Sequence, residues 1–154
     1  MISIELRMSG LRDRSLKFQD HPPAADTFTL ARLEAISGVK AATILRWQDR
    51  KAICVPPVGA GKPRMYSLWD AMHVAVVAEM TILRLQITGS GQDLSLSLTR
   101  YIRTHLIKNG HTDELRSVAL WWDGGALKMS QDADADRPGS YIVIGLPQVA
   151  KGVL

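Results

Sequence analysis

The chain has one cysteine, Cys54, in 154 residues. A single thiol builds neither an internal disulfide framework nor a cysteine-rich zinc site, and such sparing use points to a reducing, cytoplasmic compartment. There is no long unbroken apolar run. The most apolar stretch, residues 71–87, is interrupted by His73, Glu79 and Arg84, which suits a buried helix better than a membrane span. The opening residues MISIELRMSG alternate in polarity without an apolar h-region, so no secretory signal is expected. Neither sign of charge dominates: 19 Lys and Arg face 15 Asp and Glu, for a net +4. Hydrophobic residues at 46% and charged residues at 22% match ordinary globular usage and exclude collagen-like, acidic-disordered and coiled-coil-only chains. The length fits one domain, or a small domain with an appendage, and supports a core without a disulfide or metal staple.

The positive charge is concentrated. Residues 28–67 hold seven cations (Arg32, Lys40, Arg46, Arg50, Lys51, Lys62, Arg64) against two anions (Glu34, Asp49), a local excess of five. Residues 1–27 balance at four against four, residues 68–110 carry +1 and residues 111–154 carry −2. A basic face of this kind favours a polyanion through phosphate contact and counterion release. Its plain alternative is a solvated surface.

Local patterns divide the chain further. Ile2, Ile4, Leu6 and Met8 alternate with polar residues as a strand does, and residues 9–27, with His21-Pro22-Pro23, read as an arm or linker. Thr29 is placed to cap a helix bearing Leu30, Leu33 and Ile36, and Gly38 suits the left-handed residue that ends it. A second short helix, about Ala41 to Arg50, carries Ile44 and Trp47 on one face. Ile53–Val55 and Met65-Tyr66 read as two short strands around a loop containing Gly59-Ala60-Gly61. Ser67 and Asp70 have capping-box spacing at the head of a central helix running to about Ile87. Leu94, Leu98, Tyr101, Ile102, His105 and Leu106 mark an amphipathic helix of about sixteen residues after Gly91, ended by Asn109-Gly110. The period then changes. Val118–Trp122, the turn Asp123-Gly124-Gly125 and Ala126–Met129 read as a hairpin, and Tyr141–Leu146 as a further strand. The expected architecture is α+β: an N-terminal strand and arm (1–27), a winged helix-turn-helix (28–88), a packing or dimerisation helix (89–110) and a small antiparallel β-module (111–154), which the strand Ile2–Met8 could complete.

The segment from Phe28 to Ile53 resembles the start of the MerR-type winged helix-turn-helix family. The matching positions are Phe28, Thr29, Leu30, Leu33, Ile36, Gly38, Val39, Thr43, Ile44, Trp47 and Arg50. The likeness continues through Gly61-Lys62-Pro63-Arg64-Met65-Tyr66-Ser67, similar to that family's wing, and covers about residues 28–88. The chain departs from the pattern at Arg46, where the family usually has an aromatic residue, and at Leu45, where Arg is frequent.

The resemblance implies a sequence-specific double-stranded DNA-binding transcription regulator, dimeric, with RNA polymerase as a partner. The second helix would enter the major groove. Lys40, Ala42, Thr43 and Arg46 would lie on or near its exposed N-terminal part, with Arg46 bidentate to a guanine edge and Lys40 and Thr43 on phosphate or base edges. Arg50 belongs to the same cationic set. Lys62 and Arg64 on the wing would grip phosphates, Tyr66 would donate a hydrogen bond while packing its ring, and Gly59 and Gly61 would let the loop approach DNA. The helix N-terminus at Thr29 would face a phosphate.

Competing signals are weaker. Gly59-Ala60-Gly61-Lys62 is no P-loop, since the first glycine of that motif would fall at Pro56 and no Ser or Thr follows Lys62. Cys54 suits a plain strand residue. His21, His73, His105 and His111 share no metal-binding spacing. Trp121-Trp122 read as one core and one partly exposed residue, or as a partner surface. Asp132–Asp136 reads as a solvated loop. No catalytic constellation, cofactor site or metal site emerges. Two further readings stay open: an excisionase-like or packaging factor working with a recombinase or terminase, and a protein-interaction module on a winged-helix scaffold.

Overall fold

Thr29 opens the first helix as the sequence requires. In the computed structural model of the chain its hydroxyl accepts a hydrogen bond from Arg32 N at 3.2 Å, capping α1 (Leu30–Ser37). The structure describes residues 28–53, 55, 61, 63–109, 115–123, 126–131 and 142–154. The strand expected at Ile2–Met8, the arm, Cys54, Gly59, Lys62, His21, His111 and the loop Asp132–Asp136 lie outside them. Gly38 at φ +67° ends α1, donating its N–H to the Glu34 carbonyl. A three-residue turn leads into α2 (Ala41–Asp49).

α2 and the central helix α3 (Leu68–Ile82) end alike. Beyond α2, Lys51 N and Ala52 N donate to the carbonyls of Gln48 and Trp47. Beyond α3, Arg84 N and Leu85 N donate to those of Thr81 and Met80. Both are Schellman closures, with Lys51 and Arg84 in the left-handed region at φ +57° where glycine is usual. α3 therefore stops five residues before the Ile87 expected from composition. Apolar content continues past Ile82, but the backbone closure at Arg84 ends the helix.

Ser67 and Asp70 form the anticipated capping box. Burial raises the Asp70 carboxyl above its ordinary pKa despite two hydrogen bonds from Ser67. α3 is buried on nearly every side (Ala71 to Val74, Val76 to Ala78, Met80) and packs against α1, α4 and α5. α4 (Ser90–Asn109) is twenty residues long, and its buried stripe of Leu94, Leu98 and Ile102 faces the core. Gly91 lies inside its first turn. A Cβ there would sit 1.7 Å from the Gln86 carbonyl oxygen, so only glycine lets the connection lie against the helix. Arg103 of α4 stacks 5.2 Å from the Trp69 ring centroid.

A three-stranded antiparallel sheet has the order β2-β1-β3, from β1 (Val118–Asp123), β2 (Ala126–Ser130) and β3 (Ile142–Ile144). Asp123 pairs with Ala126, so Gly124 and Gly125 are the two intervening residues, as the hairpin reading requires. The last strand stops at Ile144. Leu146, expected to close it, begins α5 (Leu146–Val153), an amphipathic helix the sequence reading overlooked. Pro147 sits in its first turn, where a missing N–H costs nothing, and Leu146, Val149, Ala150 and Val153 bury one face against α3 and α1.

The pair of strands expected around the glycine loop is not formed among the described residues. Tyr66 pairs instead with Phe28, through N–H to carbonyl bonds of 2.7 and 2.8 Å, and Ile53 is buried in a bend. This bridge ties the residue before the Thr29 cap of α1 to the residue before the Ser67 cap of α3. The architecture is thus α+β, with five helices and one small antiparallel sheet among the described residues. No helix among the described residues is long and apolar enough to cross a membrane.

Candidate nucleic-acid interface

The core decides which side of α2 faces outward. Ile44 and Trp47 are buried together with Leu33 of α1, while Ile36 and Val39 pack against this cluster half-buried. At 3.6 residues per turn, the opposite face centres on Ala42 and Asp49, with Leu45 and Arg46 on either side. All four are exposed.

The ends of α2 are held by neighbours. Lys40, the residue before its first turn, makes no side-chain cap. The cap comes from α1: Glu34 Oε2 accepts from Ala41 N at 3.1 Å. A carboxylate at a helix N-terminus meets unpaired N–H groups and the positive end of the helix dipole. Glu34 escaped the sequence reading although it is one of two anions in the basic segment.

Gln48 is the second residue that was missed. Its Nε2 donates to the Tyr66 hydroxyl at 2.8 Å, and its Oε1 accepts a short hydrogen bond from Arg64 Nη1. One neutral amide thus joins α2 to the segment leading into α3. Neither composition nor spacing signals such a role, because a lone Gln has no charge or motif to mark it.

The residues singled out from sequence sort into three groups. Thr29, Lys40, Ala42, Arg46, Arg50 and Arg64 are exposed, and Thr43 is half-buried on the flank of α2. Gln48 places Arg64 beside α2, while Arg46 lies on the helix itself and Arg50 is the residue that caps its C-terminus. Lys62 lies outside the described residues. Tyr66 differs from expectation. It is fully buried, its ring in the core and its hydroxyl accepting from Gln48. The backbone bridge to Phe28 turns the ring inward, so Tyr66 supports Gln48 and Arg64 from beneath and does not itself reach a ligand.

This arrangement is chemically a cationic rim around a small mixed face. Arg64 commits one of the five guanidinium donors of an arginine to Gln48, which fixes its direction. Among the described residues, no group of three or more His, Cys, Asp or Glu lies close enough to hold a metal ion. No known family model matches the chain, and no curated protein matches it.

Proposed function

We propose that this chain is a sequence-specific double-stranded DNA-binding protein that acts as a transcription regulator in the cytoplasm. In this reading α2 enters the major groove and the segment carrying Arg64 tracks the phosphate backbone. The observation that carries it is the Gln48 bridge: it brings Arg64 alongside the helix whose exposed face bears Arg46. A guanidinium held at the side of a helix suits a phosphate, and one on the exposed face suits a base edge. The local excess of five positive charges supplies the long-range attraction.

α4 favours a second job for the same face. Its buried stripe is taken up within the chain, against α3, and the helix is twenty residues long. A DNA-binding unit with no long dimerising helix among its described residues suits an architectural factor acting beside a recombinase. A homodimeric promoter regulator that engages RNA polymerase remains the first reading.

Selection from a pool of randomised duplexes at moderate salt, followed by anisotropy titrations, tests both. Arg46→Ala should cost about 1–3 kcal/mol on the preferred duplex and relax preference at one base pair. Arg64→Ala should weaken all duplexes alike and lower the salt slope by about one. Absence of any enriched sequence would remove the regulator reading. A selected site with two-fold symmetry indicates a dimer, and strong bending in a gel-shift series indicates the architectural role.

A further inference from the structure

Leu45 stands out on the candidate face. It is a large aliphatic residue at 40% exposure on a short helix that already buries Ile44 and Trp47. It lies across the centre line of that face from Arg46 and three residues before Gln48, hence next to it along the helix. Gln48 holds Arg64, and the residue after Arg64, Met65, is likewise exposed at 42%. The exposed apolar surface is therefore bordered by Arg46 on one side and Arg64 on the other, with the methyl of Ala42 on the centre line one turn earlier.

We infer that Leu45 is a specificity-determining residue that reads the 5-methyl group of a thymine in the major groove, beside the base pair read by Arg46. This rests on the DNA-binding function proposed above and names the sequence class it selects. The major-groove edge of thymine is the one natural edge that offers a methyl group, and apolar side chains are its partners. Asp49 also lies on the centre line of this face, one turn after Leu45, but Arg46 and Arg64 outnumber it, and the net positive charge favours DNA over an apolar protein surface as the occupant. Every base edge presents polar groups that an aliphatic residue cannot satisfy, thymine O4 included, so the discrimination Leu45 contributes at one position is the methyl contact itself.

The experiment uses the duplex that the full-length protein enriches from a randomised pool. Each thymine in it is replaced in turn by 2′-deoxyuridine, which removes the methyl group and nothing else. For the wild-type protein, one thymine per bound copy should show a loss of about fourfold in affinity, the value of one buried methyl group. Leu45→Ala should bind the thymine and uracil forms of that position equally, and Leu45→Met should keep the difference. Because Leu45 is exposed, both variants should melt with the wild-type protein, which a thermal scan verifies. Indifference of the wild-type protein to uracil at every thymine overturns the inference while leaving DNA binding intact. So does a Leu45→Ala variant that retains the uracil penalty, or one that binds every duplex as the wild type does, as expected if Leu45 docks a protein. Failure to enrich any duplex overturns the proposed function and this inference with it.

Discussion

His73 shows how one side chain links sequence, burial and pH response. It is 2% exposed on α3, and its Nε2 lies 2.9 Å from Ser95 Oγ of α4. The Ser95 hydroxyl donates its proton to the Gln92 carbonyl, so it accepts from His73 Nε2–H. Burial lowers its pKa to about 4 from an ordinary 6.5. Above pH 6.5 the ring is neutral in folded and unfolded chains alike, and its contribution is constant. Between 6.5 and 4 the unfolded chain takes up a proton that the folded one refuses, so stability falls as pH falls. The full loss amounts to about 3 kcal/mol. Asp70 acts in the opposite sense, because a carboxyl with a raised folded pKa gains relative stability as pH falls. Urea titrations at pH 7, 6 and 5 should therefore show the decline, and His73→Gln should flatten it. At this scale the sequence was only partly legible. His73 was recognisable as a helix-face histidine, but Ser95, its partner 22 positions away, was not.

At the scale of single elements, caps and periods were the readable features because they involve residues within four positions of one another. Thr29, Gly38 and the Ser67–Asp70 box all behave as their spacing requires. Helix ends without glycine were less legible. Arg84 adopts a conformation that costs a non-glycine residue about 1–2 kcal/mol, and the hydrogen bonds from Arg84 N and Leu85 N close α3 there. Arg84→Gly should relieve that strain. After allowing for glycine's greater freedom in the unfolded chain, it should raise stability by about 0.5–1 kcal/mol. An increase in the urea midpoint with an unchanged slope is the expected signature. α5 was missed for a different reason. It has eight residues, too few for a strong periodic signal, and it follows a strand closely enough to read as its continuation. Pro147 at its start and the spacing of Leu146, Val149, Ala150 and Val153 were the available clues.

At the scale of the whole molecule, α5 ties the C-terminal end of the chain back to α3 and α1. Leu146 is fully buried at the junction of β3 and α5. Truncation by Leu146→Ala should cost about 2–5 kcal/mol. Because α3 packs against α1, α4 and α5, the loss should appear as one cooperative transition seen equally by tryptophan fluorescence and far-ultraviolet circular dichroism. Two separated transitions would show that the C-terminal elements fold independently of the helices.

Amino-acid order alone determined the α+β composition, the limits of α1 and α2 to within a residue, the hairpin from Val118 to Met129, one residue short of the observed end of β2, and the clustering of cations between Phe28 and Ser67. Those features follow from rotamer, capping and charge preferences that act over a few residues, or from simple counting. Tertiary structure decided that Tyr66 turns inward, that Gln48 joins Arg64 to α2, that Glu34 caps the neighbouring helix and that α5 covers α3. The burial of Tyr66 and the docking of α5 depend on which surfaces exclude water between segments distant in the chain, while the Glu34 and Gln48 contacts depend on how the packed helices bring polar groups within reach, which no residue pattern encodes.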